Sequence, residues 1–285
     1  MNFNIQDHIA YRNQRYLNAN IGNPRLLGLG VVEINPTELC NRVCSFCPRS
    51  NPEIYPNRNL NMSIETVKIL INQLRNANYT GDIHITGFGE PTLNPDILDI
   101  IKICSEYFHT EMITNGDRLT SGKLTHTQLK QAGLNTLIVD CYDGEDQVQK
   151  MQNLLEDCKI YYRIRNHHDT GEAELVKLYN YNNRGGLVQK AETVFRPCWL
   201  PFYKAFVDWD GSVQLCCNDW SRAQDSFGNI YKTSLDNIWM NKKFVEVRKK
   251  LNQGKRHCLS ACKNCNTSGT QNGYESVSLW QTLFV

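Results

Sequence analysis

The sequence predicts an α/β fold in which strand–helix units build a parallel sheet, followed by a small cysteine-rich module. Five short runs rich in β-branched residues, separated by amphipathic segments, predict the first part. Units of this kind pack helices against a parallel sheet, which is either open or rolled into a barrel. Nine of the twelve cysteines fall into two groups, within residues 40–47 and 198–265, and these predict the second part.

The predicted strands follow one another at intervals through the first 165 residues. Each is short, apolar and bounded by turn residues. They are Val31–Ile34, Ile83–Thr86, Glu111–Thr114, Thr136–Asp140 and Ile160–Ile164. Since ligands of parallel α/β folds bind at the carboxyl ends of the strands, the site is expected there.

Capping residues and apolar periodicity predict the helices between these strands. Ser63 can cap a helix that runs to about Asn76. Asn94 followed by Pro95 is typical of a helix start, and this helix is expected to reach Tyr107. Two further helices are predicted over Thr127–Ala132 and Glu145–Asp157.

The pattern changes after about residue 166. The polar, turn-rich segment Asn180–Gly186 predicts a linker. Lys204–Val207 and Val213–Leu215, joined through Asp210-Gly211, predict a β-hairpin. Ser234–Leu251 is amphipathic and predicts a helix. The expected organisation is an N-terminal extension over residues 1–30, a first domain over 31–180 and a cysteine-rich module over 187–285.

Composition and charge give little reason to expect nucleic acid or a membrane as partner. The chain has 285 residues, 41% hydrophobic and 21% charged, with a formal net charge of +2. Its N-terminus lacks the basic and apolar segments of a secretory signal, and the longest apolar stretch, Leu26–Val32, is too short to span a bilayer. We therefore expect a cytoplasmic protein. Clustered cysteines in a reducing compartment indicate metal binding more often than disulfides.

The first cysteine group, Cys40, Cys44 and Cys47, follows the first strand in a loop. Three thiolates so close together can converge on one soft metal centre. Three protein ligands leave one iron of a four-iron cluster free to bind a cofactor or substrate. A zinc knuckle is the alternative, although it needs a fourth ligand that this part of the sequence does not supply nearby.

This C-x3-C-x2-C segment, with Phe46 before the third cysteine, resembles the signature of the radical S-adenosylmethionine (SAM) superfamily. The resemblance covers roughly residues 30–170. It implies a partial (β/α)6 barrel and a 4Fe–4S cluster on Cys40, Cys44 and Cys47, with SAM on the open iron. Reductive cleavage of SAM then gives a 5′-deoxyadenosyl radical that abstracts a substrate hydrogen, with the protein positioning the reactants.

Two later segments also resemble elements of this family. Gly87–Pro91 follows the second strand and resembles its Gly-Gly-Glu-Pro element, with Phe88 in place of one glycine. Thr114-Asn115-Gly116 follows the third strand, where the family contacts the cofactor's ribose or carboxylate. The resemblance implies that SAM is contacted by Phe46, Gly87, Gly89, Glu90, Thr114 and Asn115.

Side chains after the fourth and fifth strands are candidates for catalysis. Cys141 could return a hydrogen atom to a substrate radical, or it could be a small buried side chain. Arg163 and Arg165 alternate on a strand and so face one side, towards a polar substrate or towards solvent. His167 and His168 could accept a proton or lie in a solvated loop.

The second cysteine group resembles the SPASM module of radical SAM enzymes, in the shortened twitch form known from an aminocyclitol dehydrogenase. The resemblance implies one auxiliary 4Fe–4S cluster on Cys198, Cys216, Cys262 and Cys265. Four thiolates also suit structural zinc, so this alternative stays open. Cys217 and Cys258 could replace a ligand or be spare thiols.

The resemblance implies an oxidoreductase that acts on a secondary alcohol of a sugar or cyclitol. One alternative is a radical epimerase with Cys141 or Cys217 as hydrogen donor. Another is a peptide-modifying enzyme, although few residues precede Val31 to form a peptide-recognition domain. An electron-transfer module is a further possibility, but it would need no cofactor pocket. The expected partners are a small polar substrate or peptide and an electron donor such as flavodoxin or ferredoxin.

Overall fold

The structure, a computed structural model, describes residues 2–167, 182–188, 194–270 and 272–284. Within these residues eight strands form one sheet in the order β5-β4-β3-β2-β1-β6-β7-β8. In chain order the strands are β1 Val31–Ile34, β2 Asp82–Ile85, β3 Thr110–Thr114, β4 Thr136–Cys141, β5 Tyr161–Asn166, β6 Lys204–Val207, β7 Ser212–Gln214 and β8 Gly228–Asn229.

Strands β1 to β6 are parallel and form the partial barrel. Val31 at the start of β1 lies opposite Asp82 of β2 on one side and Lys204 of β6 on the other. The strands β7 and β8 are antiparallel to their neighbours, so β6 and β7 form the predicted hairpin. Because β6 pairs with β1, the sheet runs without a break from the first domain into the cysteine-rich module.

The helices of the described residues lie between and beyond the strands. They are α1 Ile5–Asn18, α2 Ile64–Asn76, α3 Ile97–Ser105, α4 Asp117–Thr120, α5 His126–Gln131, α6 Glu145–Leu154, α7 Leu200–Tyr203, α8 Leu235–Trp239, α9 Lys242–Asn252 and α10 Tyr274–Gln281. None of them combines the length and the apolarity that crossing a lipid bilayer would require.

Capping side chains explain where the helices begin. Ser63 Oγ accepts a hydrogen bond from Thr66 N at 3.1 Å, as predicted for the start of α2. The next helix, α3, begins at Ile97 rather than at Pro95. The Asn94 side chain is buried and donates to two backbone carbonyls instead of opening the helix directly. A short 3₁₀ turn, Pro91–Leu93, precedes it.

The predicted helix Ser234–Leu251 is two helices, α8 and α9. The break lies at Met240 and Asn241. Asn241 Oδ1 accepts a hydrogen bond from Phe244 N at 2.8 Å, which caps a new helix in the middle of the apolar pattern. Periodicity alone does not reveal this break, because both halves keep their apolar side towards the core.

Side chains alternate between the two faces of the barrel strands. Val32, Ile34, Ile83 and Ile85 point outwards and are fully buried beneath the helices. The inner face carries polar residues such as Glu33, which is buried as well. The barrel interior therefore contains charged groups.

Helix α1, within the predicted N-terminal extension, packs against the amino end of the barrel. His8 Nε2 lies 3.0 Å from Glu111 Oε2, and Arg12 also pairs with this carboxylate. Arg15 Nε donates to Asp82 Oδ1 at 2.8 Å. Interactions with His84, Arg12 and His8 hold the pKa of the Glu111 carboxyl well below its usual range despite its burial. The extension is thus part of the barrel and leaves its carboxyl end free for a ligand.

Candidate active site

A cavity of about 460 Å³ opens at the carboxyl ends of the parallel strands. Strand topology predicts a ligand site at this position. The cavity is lined by the three cysteines of the first group, and by all six residues predicted to contact the cofactor: Phe46, Gly87, Gly89, Glu90, Thr114 and Asn115. Residues from three separate loops therefore meet at one place.

Backbone hydrogen bonds shape the loop that carries the first cysteine group. Cys47 N donates to Cys44 O at 3.0 Å, which closes a turn between the second and third cysteines. The side chain of Asn57 donates to Cys40 O at 3.0 Å and accepts from Cys40 N at 2.9 Å. All three thiols remain partly accessible from the cavity.

Arg42, between the first two cysteines, fastens the loop to the neighbouring strand ends. Its Nη2 donates to Asp117 Oδ1 and to Asp143 Oδ2, both at 2.6 Å. These two carboxylates follow β3 and β4. Such bidentate guanidinium–carboxylate pairs fix orientation as well as position. Sequence analysis did not identify this role of Arg42.

Arg49, just beyond the third cysteine, connects the loop to the glycine-containing turn. It is 5% exposed, and its Nε and Nη2 both donate to Phe88 O, at 3.1 and 3.0 Å. The turn itself is packed so closely that a methyl group on Gly89 would overlap the carbonyl oxygens of Thr37 and Leu39. This close backbone approach explains why glycine occupies the position.

Glu90 is buried and joins the ends of β2 and β3. Its carboxylate accepts hydrogen bonds from Thr114 Oγ1 at 2.6 Å and Asn115 N at 2.8 Å, and also from Thr92. Burial raises the pKa of Glu90, and these hydrogen bonds oppose the rise. The carboxylate thus positions the Thr114–Asn115 segment at the cavity, in addition to lining it.

The first cysteine group has the donor chemistry of a cluster site. Burial, together with the nearby thiols of Cys47 and Cys40, raises the pKa of the Cys44 thiol to about 11. The pKa of Cys40 is raised for the same main reason. A bound cation favours thiolates, so metal binding at these cysteines has to displace protons and is expected to weaken in acid.

Charged and aromatic residues from β4 and β5 form one wall of the cavity. Arg165 pairs with both oxygens of Asp140, and His167 Nε2 lies 3.1 Å from Asp140 Oδ1. The imidazole of His167 stacks on Tyr142, with ring centroids 5.1 Å apart. Arg165 holds the pKa of the buried Asp140 carboxyl far below its usual range. His167 thus lines the cavity, whereas His168 lies outside the described residues.

Arg163 and Arg165 both face the barrel interior, as the alternation on β5 predicts. Arg163 Nη1 lies 3.5 Å from His8 Nδ1, near the amino end of the barrel. Arg165 lines the cavity itself.

Of the two interpretations of Cys141, the catalytic one has to be corrected and the small buried side chain is retained. Cys141 is fully buried in the apolar core between the sheet and the helices, on the opposite face of β4 from Asp140. The extended strand continues through Cys141, so its side chain points away from the barrel interior. A thiol in this position is suited to packing and not to contact with a ligand in the cavity.

The opposite wall of the cavity comes from β6 and the segment after β7. Lys204 Nζ lies 2.8 Å from Glu33 Oε2. Cys217, Trp220 and Arg184 line the cavity beside this ion pair. Arg184 belongs to the segment predicted as a linker, whose described part is a short turn against the cavity. The position of Lys204 in the cavity wall could not be predicted from the sequence, because a lysine at the start of a hairpin strand usually faces solvent.

The second cysteine group lines a separate, smaller cavity. Its walls include all four predicted ligands: Cys198, Cys216, Cys262 and Cys265. Burial raises the pKa of Cys216 well above its usual value, and the thiols of Cys217, Cys262, Cys265 and Cys198 act in the same direction. Cys262 and Cys265 are buried, and Cys198 and Cys216 are half-buried. Thiols that act on one another electrostatically suit a centre that would hold them as thiolates.

Arg256 ties together the chain segments of this second site. It is 1% exposed and donates to the backbone carbonyls of Arg196, Pro197, Thr267 and Ser268 at 2.6–2.9 Å. The first two carbonyls precede Cys198 and the last two follow Cys265. A methyl group on Gly269, whose φ is +68°, would overlap Cys198 Sγ. The site is therefore closely packed around its thiols.

The remaining cysteines occupy three kinds of environment. Cys104 and Cys158 are buried in the apolar core, as expected for packing side chains. Cys258 is exposed. Cys217 is partly exposed and lines the first cavity, although it directly follows Cys216 of the second.

Both sites offer the ligands of an iron–sulfur cluster. Three cysteines line the first cavity and four line the second. Cysteine thiolates are the usual ligands of such clusters. In the part of the chain that the structure describes, no group of three His, Cys, Asp or Glu side chains forms a site for a single metal ion.

Comparison with known families agrees with this division into two sites. The sequence matches the radical SAM superfamily over residues 34–167 and the SPASM iron–sulfur cluster-binding domain over residues 198–266. The S-adenosyl-L-methionine-dependent 2-deoxy-scyllo-inosamine dehydrogenase of Niallia circulans is 28% identical over 253 residues. These cover 85% of this chain and 94% of the relative.

Two crystal structures share the fold over most of their length. BtrN in complex with AdoMet and 2-DOIA is 27% identical, with a TM-score of 0.71, and the match covers 87% of this chain and 97% of that one. Selenomethionine BtrN in an open conformation is 25% identical, with a TM-score of 0.61 and the same coverage.

Proposed function

Since the chain belongs to the radical SAM superfamily and carries a SPASM region, we propose that it oxidises a secondary alcohol of a sugar or cyclitol. It is a radical SAM oxidoreductase that uses SAM and iron–sulfur clusters. The cavity that joins the three-cysteine loop to charged walls on both sides is the observation that carries the substrate proposal. Polyols need many hydrogen-bonding partners, and these walls supply them.

The residues proposed to hold the cofactors follow from their positions. Cys40, Cys44 and Cys47 would bind the first cluster and leave one iron open to the cavity. When bound, the reduced cluster and SAM together supply a carbon radical that removes a hydrogen atom from the substrate. The six residues proposed to contact SAM surround this loop: Phe46, Gly87, Gly89, Glu90, Thr114 and Asn115.

The relatives support a cyclitol as the substrate class. The Niallia circulans enzyme is named for the oxidation of an inosamine, and this chain spans 94% of its length. In the present cavity the buried carboxylates of Glu33 and Asp140 are each paired with a cation. The paired groups offer both donors and acceptors to hydroxyl groups without exposing an isolated charge.

His167 is proposed to accept the hydroxyl proton when the alcohol becomes a ketone. Asp140 holds the imidazole through Nε2, and the Tyr142 ring fixes its plane. The ring can then accept the proton beside the Asp140 carboxylate. Arg165 holds the same carboxylate and so positions this pair rather than taking the proton.

The second cysteine site is proposed to take the remaining electron. Oxidation of the alcohol removes one hydrogen atom, one proton and one electron from the carbinol group. Cys216 and Cys217 are adjacent in sequence and line the second and first cavities respectively. An auxiliary cluster on Cys198, Cys216, Cys262 and Cys265 would therefore lie one residue away from the substrate cavity. A flavodoxin or ferredoxin is proposed to reduce the first cluster.

Incubation of the reconstituted enzyme with 2-deoxy-scyllo-inosamine, SAM and a one-electron reductant tests this proposal. We expect a ketone and 5′-deoxyadenosine in equal amounts. In His167→Ala the ketone yield should fall about a hundredfold, the range of a lost general base, whereas the exposed His257→Ala should match wild type. Formation of 5′-deoxyadenosine without ketone from this or related cyclitols and sugars would contradict the proposal.

A further inference from the structure

Cys217 lines the proposed substrate cavity, but its thiol takes no part in the proposed oxidation of the alcohol. Adjacent residues of the segment after β7 point into different cavities, since Cys216 lines the second and Cys217 the first. Cys141, the other cysteine considered as hydrogen donor, is fully buried in the apolar core. Cys217 is therefore the thiol of this pair that can reach a ligand in the cavity.

Trp220, on the same wall, independently indicates that this part of the cavity receives a polar ligand. The side chain is 5% exposed, and its indole N–H has no acceptor among the residues that the structure describes. Tyr55 and Phe88 hold the indole ring, at centroid distances of 4.9 and 4.6 Å. A buried donor without an acceptor costs about 1–3 kcal/mol, and an oxygen of a bound ligand would remove this cost.

The charged groups that act electrostatically on Cys217 are Glu33, Lys204 and Arg184, and all three line the same cavity. Lys204 and Glu33 form an ion pair at 2.8 Å, within the wall that Cys217 also lines. Cys217 thus shares one wall of the cavity with an ammonium group that is paired with a carboxylate. On the other side, its neighbour Cys216 belongs to the proposed auxiliary-cluster site.

We propose that Cys217 donates a hydrogen atom to the substrate radical, so that the site epimerises the carbinol carbon in addition to oxidising it. This second activity rests on the proposed function, because both begin with removal of the same hydrogen. The two outcomes then diverge. Loss of a proton and an electron gives the ketone, whereas transfer of a hydrogen atom from Cys217 to the opposite face gives the epimer.

The chemical balance of the second outcome is complete. A C–H bond forms on the substrate as the S–H bond of Cys217 breaks, which leaves a thiyl radical. One electron from an auxiliary cluster held by Cys198, Cys216, Cys262 and Cys265, when that cluster is bound and reduced, and one proton from solvent would restore the thiol. Each turnover consumes one SAM and two electrons from the external one-electron donor, and the substrate itself is neither oxidised nor reduced.

The test is a reaction in D₂O with 2-deoxy-scyllo-inosamine, SAM and titanium(III) citrate, without added thiols. Mass spectrometry and NMR of the recovered inosamine are the readouts. In wild type we expect an inosamine whose carbinol carbon is inverted and carries one deuterium. The deuterium comes from the Cys217 thiol, whose hydrogen exchanges with D₂O. In Cys217→Ala this deuterated product should fall at least tenfold, and the ratio of ketone to 5′-deoxyadenosine should rise.

Cys258→Ala is the matched control, because Cys258 is exposed and stands outside both sites. It should retain the deuterated product in full. Ketone without deuterated inosamine in wild type, or equal deuterium in wild type and Cys217→Ala, would overturn the role of Cys217. Absence of ketone instead reports failure of the proposed function.

A second measurement tests the role of Cys217 without a cyclitol substrate. It therefore separates a failure of this role from a failure of the proposed alcohol oxidation. In D₂O without a cyclitol, a radical formed in the cavity should take deuterium from the Cys217 thiol. We expect monodeuterated 5′-deoxyadenosine from wild type and at least tenfold less from Cys217→Ala. The same deuterium content in both proteins would count against Cys217 whatever the substrate is.

Discussion

The two cysteine sites differ in how far each is open to its surroundings. The loop of Cys40, Cys44 and Cys47 borders a cavity of about 460 Å³ and is held from outside by arginine–carboxylate pairs. The second site is closed around four thiols, and the buried Arg256 ties its segments together through backbone carbonyls. An open site suits a centre that binds a cofactor, and a closed site suits one that passes electrons.

The largest effect is expected at the open site. Cys44→Ala removes one of three thiolates, so the first cluster should be lost and 5′-deoxyadenosine formation should fall more than about a thousandfold, because the chemistry belongs to the cofactor. Chromatography of the reaction products measures this. Cys104→Ala, which changes a buried packing thiol, is the control and should keep SAM cleavage. Substantial SAM cleavage by Cys44→Ala would contradict the distinction between an open site that binds the cofactor and a closed site that passes electrons.

At the closed site, Arg256→Ala should destabilise the auxiliary region strongly. It leaves four carbonyls without their donor, at about 1–3 kcal/mol for each group that stays buried. Iron content should fall from about eight to about four per chain, with SAM cleavage still detectable.

The control for this substitution is Arg196→Ala. Arg196 donates from its side chain to Asn266 O near the same site, but at an exposed position. We expect it to keep the full iron content. If both variants lost the same amount of iron, the proposed role of the buried Arg256 in holding the segments of the second site together would be wrong.

A smaller effect is expected from Arg42→Gln, which loosens the cysteine loop from Asp117 and Asp143. Loss of these partly exposed pairs should weaken the loop by about 1 kcal/mol. The first cluster should then lose iron to a chelator about fivefold faster, followed by absorbance under anaerobic conditions. Iron of the second cluster should be lost at the wild-type rate. Faster loss from both would mean that the sites are coupled.

A separate effect concerns pH, because titratable groups are concentrated in the interior of the barrel. Burial lowers the pKa of His84 to about 3, so the folded chain keeps this ring neutral where the unfolded chain takes up a proton. The resulting stability is complete above pH 6.5 and is lost as the pH falls below that value.

Urea unfolding of the holoenzyme between pH 6.5 and 5 measures this contribution. His84→Gln should flatten the dependence of the unfolding free energy by up to about 1.4 kcal/mol per pH unit. His8, whose pKa burial also lowers, should retain part of the slope. The exposed His257→Gln should keep the wild-type slope, and a flattening as large as that of His84→Gln would contradict the assignment.

Local patterns predicted the strands and the loop residues well. The strand ends bring together cysteines and glycines that lie 40 to 50 residues apart, which is why Cys40 and Gly89 could be assigned to one cavity. Capping explained α2 through Ser63, and the ends of the predicted strands differ from the observed ones by at most two residues.

Other features depend on contacts that sequence patterns do not report. Helix α1 is held by Glu111 and Asp82 of distant strands, so its residues alone do not indicate that it closes the barrel. The face of Cys141 depends on whether the strand ends before or after it, a difference of one residue. Arg256 acts through backbone carbonyls, for which the sequence has no signature.

Iron analysis combined with EPR of the reduced protein, with and without SAM, tests the division into two sites most directly. Wild type should contain about eight irons, and SAM should change the signal of one cluster only. Cys40→Ala/Cys44→Ala/Cys47→Ala should keep about four irons, with a signal that SAM leaves unchanged. A triple variant whose remaining signal responds to SAM, or which retains zinc in place of iron, would contradict this account.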